Sequence, residues 1–179
     1  MREFVAVPLR SRQRYYRNET VHLNTQKNGT IIRMKPTSIK IIQQLKDAGH
    51  RAFWAGGCVR DMLLGIEPKD FDIVTSANPD EIEDLLEKTI PIGKEFGVIL
   101  AQQDEHDLEL ATFRSDSGYS DGRRPDAVEF TNAEEDAKRR DFTINGMFYD
   151  PLTDEIHDFI GGQRDLDAKL IRFIGDPEE

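Results

Sequence analysis

Two spacings of apolar residues alternate along this chain, and together they predict a domain that combines helices with a sheet. Apolar residues three or four positions apart, as at Ile39, Ile42 and Leu45, are typical of a helix that buries one face. Alternation of acidic and apolar residues, as in residues 107–111, is typical of a half-buried strand. The order of these segments predicts an α/β (α+β) fold in which a small mixed sheet is flanked by helices.

Glycine, proline and asparagine mark the ends of the predicted elements. Asn78 before Pro79 is typical of a helix start, because asparagine caps the first turn and proline fits the first helical position. The other predicted helices cover residues 36–49, 57–64, 133–139 and 162–168. The predicted strands cover residues 51–55, 70–75, 98–102, 108–113, 128–130, 146–149 and 155–159, and residues 115–125 are predicted to form a polar loop.

Composition excludes several classes of protein and site. The 179 residues are enough for one domain with a hydrophobic core, which we assign to residues 35–179. No apolar run reaches the roughly 20 residues that span a membrane, and no apolar signal sequence is present. The single cysteine, Cys58, cannot form an internal disulfide, so we expect a reducing, cytoplasmic compartment. The four histidines lack the spacing of zinc ligands.

The net charge of −10 is spread unevenly, which restricts how the chain can contact nucleic acid. Residues 1–35 carry a charge of +6, whereas the remainder carries −16. An acidic domain repels a phosphate backbone, so any contact must come from local patches, from the N-terminal segment or from further domains. Residues 1–34 lack periodicity and are interpreted as a basic arm outside the core. The arm is a flexible tail or leader, a nucleic-acid contact or a cleaved transit-like segment.

The segment from residue 55 to residue 61 has the features of a phosphate-binding turn. Gly56 and Gly57 allow the backbone to turn sharply and to approach a ligand closely. Their amides, with the start of the following helix, form an anion site. Arg60 lies one turn into that helix, where its forked guanidinium can reach back to a phosphate. Two glycines before a helix are also an ordinary strand-to-helix turn, so this feature alone is weak.

Acidic residues on two predicted strands form a candidate metal site. Asp70 and Asp72 alternate with apolar residues, which places both carboxylates on one face of a strand, roughly 6–7 Å apart. Their repulsion, about 2–3 kcal/mol at an effective dielectric near 20, would be relieved by Mg²⁺, which prefers carboxylate oxygens. Glu109, or alternatively Asp107, can supply a third carboxylate. Three such acids suit two-metal nucleotidyl transfer, although Asp-x-Asp alone is common on exposed edge strands.

Three motifs in this order resemble the head domain of class II tRNA nucleotidyltransferases, which has a polymerase-beta-like nucleotidyltransferase fold. They are Gly-Gly-Cys-Val-Arg-Asp at residues 56–61, Asp-Phe-Asp at 70–72 and Arg-Arg-Asp-Phe-Thr-Ile-Asn-Gly-Met at 139–147. The family contains CCA-adding enzymes, separate A-adding and CC-adding enzymes, and bacterial poly(A) polymerases. The resemblance extends from about residue 36 to the end, and the third motif is its most specific part.

The resemblance implies a role for each motif residue. Three acids would be catalytic, and the first two would bind Mg²⁺: Asp70, Asp72 and Glu109. Five residues would bind the incoming nucleotide: Gly56, Gly57, Arg60, Arg140 and Asp141. Among these, Arg140 would face phosphate and Asp141 would accept a hydrogen bond from the ribose 2′-hydroxyl. Without the family, the charges at residues 139–141 are equally typical of an exposed ion-pair cluster.

The implied reaction adds CMP or AMP from CTP or ATP to the 3′ end of tRNA, as CCA addition or as A- or CC-addition. A bacterial poly(A) polymerase head is the second candidate, because residues 91–97 lack the basic run of that branch. A non-catalytic nucleotide-binding module is the candidate from another class, and a complete set of acids disfavours it.

The resemblance also implies parts that these residues lack. The family selects the base with a Glu-Asp-x-x-Arg template in a neck domain that follows the head. Residues 135–139 fit that pattern by letters but precede Arg140 and Asp141, so we reject them as the template. We expect the neck, body and tail, with most of the tRNA contacts, to be absent here, and therefore poor discrimination among bases. Residues 121–125 resemble the family's flexible loop.

Overall fold

The structure is a computed structural model that describes residues 25–117 and 127–175. Its helices are α1 (Thr25–Asp47), α2 (Gly57–Leu63), α3 (Pro79–Leu85), α4 (Ala133–Lys138) and α5 (Gly162–Asp167). Its strands are β1 (Ala52–Ala55), β2 (Ile73–Thr75), β3 (Thr89–Gly93), β4 (Val98–Gln103), β5 (His106–Thr112), β6 (Arg114–Ser117), β7 (Ala127–Phe130), β8 (Phe148–Asp150) and β9 (Glu155–His157). Short 3₁₀ helices cover Lys94–Phe96 and Thr143–Asn145. None of the described helices is long and apolar enough to cross a membrane.

Seven strands form one mixed sheet in the order β3-β4-β5-β2-β1-β8-β9, while β6 and β7 pair separately. Within the larger sheet β2 and β5 are parallel, and the other pairs of neighbouring strands are antiparallel. The small mixed sheet flanked by helices is therefore as predicted, and it places β1 and β2 at its centre.

The core lies on both faces of the central strands, because side chains alternate between the faces of a sheet. Trp54 and Ile73 belong to one buried cluster, in which α1 and α3 contribute residues such as Ile42 and Ile82. Phe53 and its neighbours belong to a second buried cluster, which α4 covers with Ala133 and Ala137: Phe53, Val74, Phe113 and Phe148. Burial on both faces explains why β1 and β2 are apolar throughout.

Four features differ from the predicted elements. Helix α1 begins at Thr25 and continues through Pro36, so part of the predicted arm at residues 1–34 is helical; residues 1–24 lie outside the described residues. Proline favours a helix start, but one missing backbone donor does not end a helix whose later turns pack on the core. Strand β2 begins at Ile73, not residue 70. Strands β3 and β6 were not predicted, because one is an exposed edge and the other is polar throughout.

The predicted start of α3 is confirmed. Asn78 Oδ1 accepts a hydrogen bond from the Glu81 amide at 3.0 Å, and Glu81 Oε2 accepts one from the Asn78 amide at 2.8 Å. This reciprocal capping box satisfies two amides at the helix terminus, where no carbonyl is available.

We predict that Asn78→Ala lowers the free energy of unfolding by about 1 kcal/mol, because the Glu81 amide loses its acceptor. Urea denaturation followed by circular dichroism measures this difference. Asn78→Asp keeps the acceptor and serves as the control, with stability near that of the wild type. Equal stability of the alanine variant and the wild type would contradict the capping role.

Candidate functional site

Strand pairing brings the predicted site residues to one end of the central strands. The Ala55 amide at the end of β1 donates to the Asp72 carbonyl at 3.1 Å, so the glycine turn lies beside the first acidic motif. The parallel register of Ile73 with Leu110 sets Asp72 next to Glu109 on the neighbouring strand. Ala55 also pairs with Phe148, the first residue of β8, which brings the third motif to the same place.

The acidic motif retains its alternation although the strand starts later than predicted. Asp70 and Asp72 are exposed, whereas Phe71 and Ile73 are buried, so the two carboxylates still project away from the core. Partial desolvation, with the charges of Asp70 and Glu109, raises the pKa of Asp72 to about 6, although Arg140 acts in the opposite direction. These effects identify Asp70, Asp72 and Glu109 as one electrostatic cluster.

This cluster has the donor chemistry of a Mg²⁺ site, because its side-chain donors are carboxylate oxygens that repel one another. Asp107, the alternative third acid, instead accepts a hydrogen bond from Gln102 Nε2 at 2.9 Å. Within residues 25–117 and 127–175, however, no three acidic, histidine or cysteine side chains are arranged to hold one metal ion. Asp70 and Asp72 are therefore the candidate metal pair, with Glu109 beside them as a charge.

Gly56 forms the turn between β1 and α2 with a backbone that other residues rarely adopt. Its φ of 72° and ψ of −136° are accessible mainly to glycine. A Cβ atom built there would lie 3.6 Å from Arg140 Nη1 and 3.8 Å from Asp72 Oδ2. The positive side chain of Arg140 and the negative side chain of Asp72 thus both lie against the backbone of Gly56.

Arg60 is held beside this turn by two partners. Its Nε and Nη2 donate to Asp61 Oδ1 at 2.9 and 2.7 Å, and its Nη1 donates to Asn145 Oδ1 at 2.8 Å. A Cβ atom at Gly57 would lie 3.5 Å from Arg60 Nη2, so the guanidinium folds back to the start of α2. Asp61 is thus a partner that orients this arginine.

Arg140 reaches the site from the end of α4. Its Nε and Nη2 donate to Asp136 Oδ2 at 3.2 and 2.9 Å, which leaves Nη1 as the nitrogen that faces Gly56 and Asp72. The guanidinium carbon lies 5.1 Å from the centre of the Phe148 ring, within the range of a cation–π contact.

Asp141 lies at the surface next to the Arg60 contact. Its Oδ1 accepts hydrogen bonds from the Phe142 amide at 2.7 Å and from Asn145 Nδ2 at 3.2 Å. Asn145 therefore bridges Arg60 and Asp141, the residues that the sequence assigned to phosphate and to ribose. The bridge orients the asparagine amide, since its oxygen faces an arginine and its nitrogen a carboxylate.

Cys58 lies directly behind the acids and has no chemistry of its own here. Burial and, to a smaller extent, the charges of Asp72 and Asp70 raise the pKa of its thiol to about 12. Its Sγ donates to the Ala55 carbonyl at 3.1 Å. The thiol stays protonated and packs α2 against β1.

A family model described as the poly(A) polymerase head domain matches residues 52–172. This chain belongs to that family. The match includes all eight residues assigned to the site, and it confirms the resemblance and the nucleotidyltransferase head fold predicted from the three motifs.

Individual relatives of this head domain are CCA-adding enzymes. The enzyme of Bacillus pumilus is 46% identical over 141 residues, which cover 78% of this chain and 35% of the relative. The enzyme of Bacillus subtilis is 41% identical over 143 residues, which cover 79% of this chain and 36% of the relative. The chain thus spans about a third of the length of the curated relatives it matches.

Solved structures agree in fold. The Bacillus stearothermophilus CCA-adding enzyme in complex with CTP superimposes with a TM-score of 0.70 at 36% identity, covering 81% of this chain and 34% of that one. A tRNA nucleotidyltransferase complexed with a primer tRNA and an incoming ATP analogue gives a TM-score of 0.60 at 35% identity, covering 75% and 39%.

Sequence reasoning did not assign two residues that organise this head domain. Asn145 received no role of its own within the third motif, and Asp136 was considered only as part of a rejected template match. Asn145 could have been noticed, because it is a polar residue inside the specific motif at residues 139–147. No pattern marks Asp136 as buried, because α4 is too short and too acidic to reveal an inward face.

We predict that Gly56→Ala lowers the free energy of unfolding of the head domain by about 1–3 kcal/mol, because alanine strains this backbone. Gly57→Ala is the matched control, since Gly57 has an ordinary φ and its added Cβ would make an ordinary contact. Urea denaturation measures both variants. Equal losses for the two alanines would show that the backbone at Gly56 carries no special constraint.

Proposed function

We propose that this chain is the catalytic head of a tRNA nucleotidyltransferase that adds CMP or AMP from CTP or ATP to the 3′ end of tRNA. One observation carries the proposal: Arg140 Nη1 and Asp72 Oδ2 lie 3.6 and 3.8 Å from the Cβ position of a single glycine, Gly56. A triphosphate with its cation needs a phosphate-binding arginine and a metal-binding acid at one backbone turn, and this turn has both.

Asp70 and Asp72 would hold Mg²⁺, with Glu109 as the third catalytic acid. Desolvation and the repulsion from Asp70 and Glu109 raise the pKa of Asp72, which supports this assignment, because a bound cation offsets both effects. When bound, Mg²⁺ lowers the pKa of the attacking 3′-hydroxyl and neutralises charge on the departing pyrophosphate. The protein keeps the acids in place by pairing β2 with both β1 and β5.

The remaining site residues would bind and orient the nucleotide. Arg60 and Arg140 offer guanidinium groups to the phosphates beside the Gly56–Gly57 turn. Asp141 would accept a hydrogen bond from the ribose 2′-hydroxyl, which would favour ribonucleotides over deoxynucleotides. Asn145 supports these two assignments, since its side-chain amide bonds to both residues, at 2.8 Å from Arg60 Nη1 and 3.2 Å from Asp141 Oδ1.

The relatives support the choice of substrates. Homologous structures hold CTP, an ATP analogue with a primer tRNA, and, for the Thermotoga maritima CCA-adding enzyme, tRNA. We carry CTP, ATP and the tRNA 3′ end over to this chain as proposed partners, with tRNA bound mainly outside the head. A cytoplasmic location completes the proposal, since the buried free thiol of Cys58 suits a reducing compartment.

A bacterial poly(A) polymerase head is the second candidate, because the matching family model carries that name. The curated relatives at 41–46% identity are named as CCA-adding enzymes, which favours the tRNA assignment. Product length after incubation with tRNA and ATP separates the two candidates, since a poly(A) polymerase makes long adenosine tails.

We predict that this chain binds CTP and ATP in a Mg²⁺-dependent manner and that Asp70→Asn/Asp72→Asn loses this dependence. Neutral amides attract Mg²⁺ weakly, so binding of the variant should be the same with and without the ion. Isothermal titration with CTP, ATP, GTP and UTP, with Mg²⁺ or with EDTA, measures the effect.

The matched control is Asp104→Asn/Glu105→Gln, which removes the same charge from the exposed β4–β5 turn. This control should keep Mg²⁺-dependent binding. Binding by the wild type that ignores both the metal and the two acids would refute the catalytic assignment and favour a non-catalytic nucleotide-binding module.

A further inference from the structure

The buried carboxylate of Asp136 lies behind the site and binds Arg140. Asp136 lies on α4, and its side chain is 0% exposed. Oδ2 accepts the two hydrogen bonds from Arg140, and Oδ1 accepts Arg139 Nε at 2.8 Å and the Arg114 amide at 3.2 Å. Both oxygens are therefore fully used by protein donors, which leaves Asp136 no capacity to contact a ligand itself.

The contact with Arg140 determines which guanidinium nitrogen reaches the site. Because Nε and Nη2 are both bound to Asp136, the plane of the guanidinium is fixed and Nη1 points towards Gly56 and Asp72. Phe148 limits movement on one face of the group. An arginine with the same charge but without this contact would have many rotamers, and few of them would place Nη1 beside the turn.

The two arginines that contact Asp136 depend on its negative charge. Arg139 and Arg140 are adjacent and mostly buried, with 18% and 16% of their side chains exposed. Without an anion between them the two guanidiniums would repel each other. Asp116 on β6 partly compensates Arg139, at 3.5 Å from its Nη1, whereas the described ion pair of Arg140 is with Asp136.

We propose that Asp136 is a positioning residue for nucleotide binding, which acts by orienting the Arg140 guanidinium towards the triphosphate. This inference rests on the proposed function, since it assigns the triphosphate as the ligand of Arg140. It gives the Glu-Asp-x-x-Arg sequence at residues 135–139 a role other than base selection: the aspartate and the last arginine of that pattern bind each other inside the domain.

A purely structural role for Asp136 predicts a different outcome from a positioning role. Asp150 provides the comparison, because it is also a buried aspartate in an ion pair, with Lys46, and lies at the far end of β8. If Asp136 only stabilises the fold, Asp136→Asn and Asp150→Asn should both lower thermal stability, and both should leave CTP affinity unchanged. If Asp136 orients Arg140, only Asp136→Asn should weaken CTP binding.

The first measurement needs no ligand. Hydrogen exchange of the Arg140 Nε proton, followed by NMR and assigned with Arg140→Lys, reports whether the guanidinium is held. We expect slow exchange in the wild type and in Asp150→Asn, and exchange at least tenfold faster in Asp136→Asn. Unchanged exchange in Asp136→Asn would overturn the inference.

The second measurement is titration with CTP and CMP in the presence of Mg²⁺. We expect Asp136→Asn to weaken CTP binding on the order of tenfold and CMP binding less, because the lost contact concerns the outer phosphates. In an Arg140→Gln background, Asp136→Asn should have no additional effect on CTP affinity, since there is no guanidinium left to orient. Additive effects of the two substitutions would overturn the inference.

Two outcomes separate this inference from the proposed function. A wild-type chain that binds no triphosphate would refute both, whereas a wild type that binds CTP with an Asp136→Asn variant of equal affinity would refute the positioning role alone. Should Asp136→Asn fail to fold, Asp136→Glu keeps the charge and displaces the carboxylate by one methylene group. The inference then requires weaker CTP binding by Asp136→Glu, and wild-type affinity would overturn it.

Discussion

The antiparallel pairing of β1 with β2 is the constraint on which the rest of the site depends. It sets the end of one strand beside the start of the other, so the glycine turn after Ala55 meets the acidic motif before Ile73. Both strands are buried on both faces, and for this reason their register cannot slip without exposing apolar residues. A loss of this register would separate the glycine turn from the acids.

A second constraint is electrostatic, and it acts in opposite directions on the two sides of the turn. On the acidic side, desolvation and the neighbouring charges of Asp70 and Glu109 raise the pKa of Asp72, although Arg140 acts in the opposite direction. On the basic side, each arginine already has a carboxylate: Arg60 has Asp61, and Arg140 has Asp136. The acids are thus ready for a cation, while the arginines are oriented by partners that use only part of each guanidinium.

Local signals in the sequence were enough for elements whose stability is local. The cap at Asn78 and the strands β4 and β5 were predicted, because the capping residues and the alternation of each strand lie within a few positions of one another. Strand β3 was missed, since Pro91 and exposed isoleucines resemble a loop more than a strand. The passage of α1 through Pro36 also could not be predicted, because tertiary packing rather than propensity decides it.

The same distinction applies to the site. Motif letters sufficed to predict which residues gather at the turn, whereas the residues that hold them could be identified only from the fold. Asp165, buried on α5, accepts hydrogen bonds from Thr143 Oγ1 at 2.8 Å and from Arg172 Nε at 2.9 Å, and Asp136 holds the other end of the third motif. A loop fixed by buried carboxylates at both ends can present Arg140 and Asp141 in one conformation. The third motif therefore meets two requirements at once, because Arg140 lies at the glycine turn while other side chains, such as Thr143 and Asn145, hold the loop in one conformation.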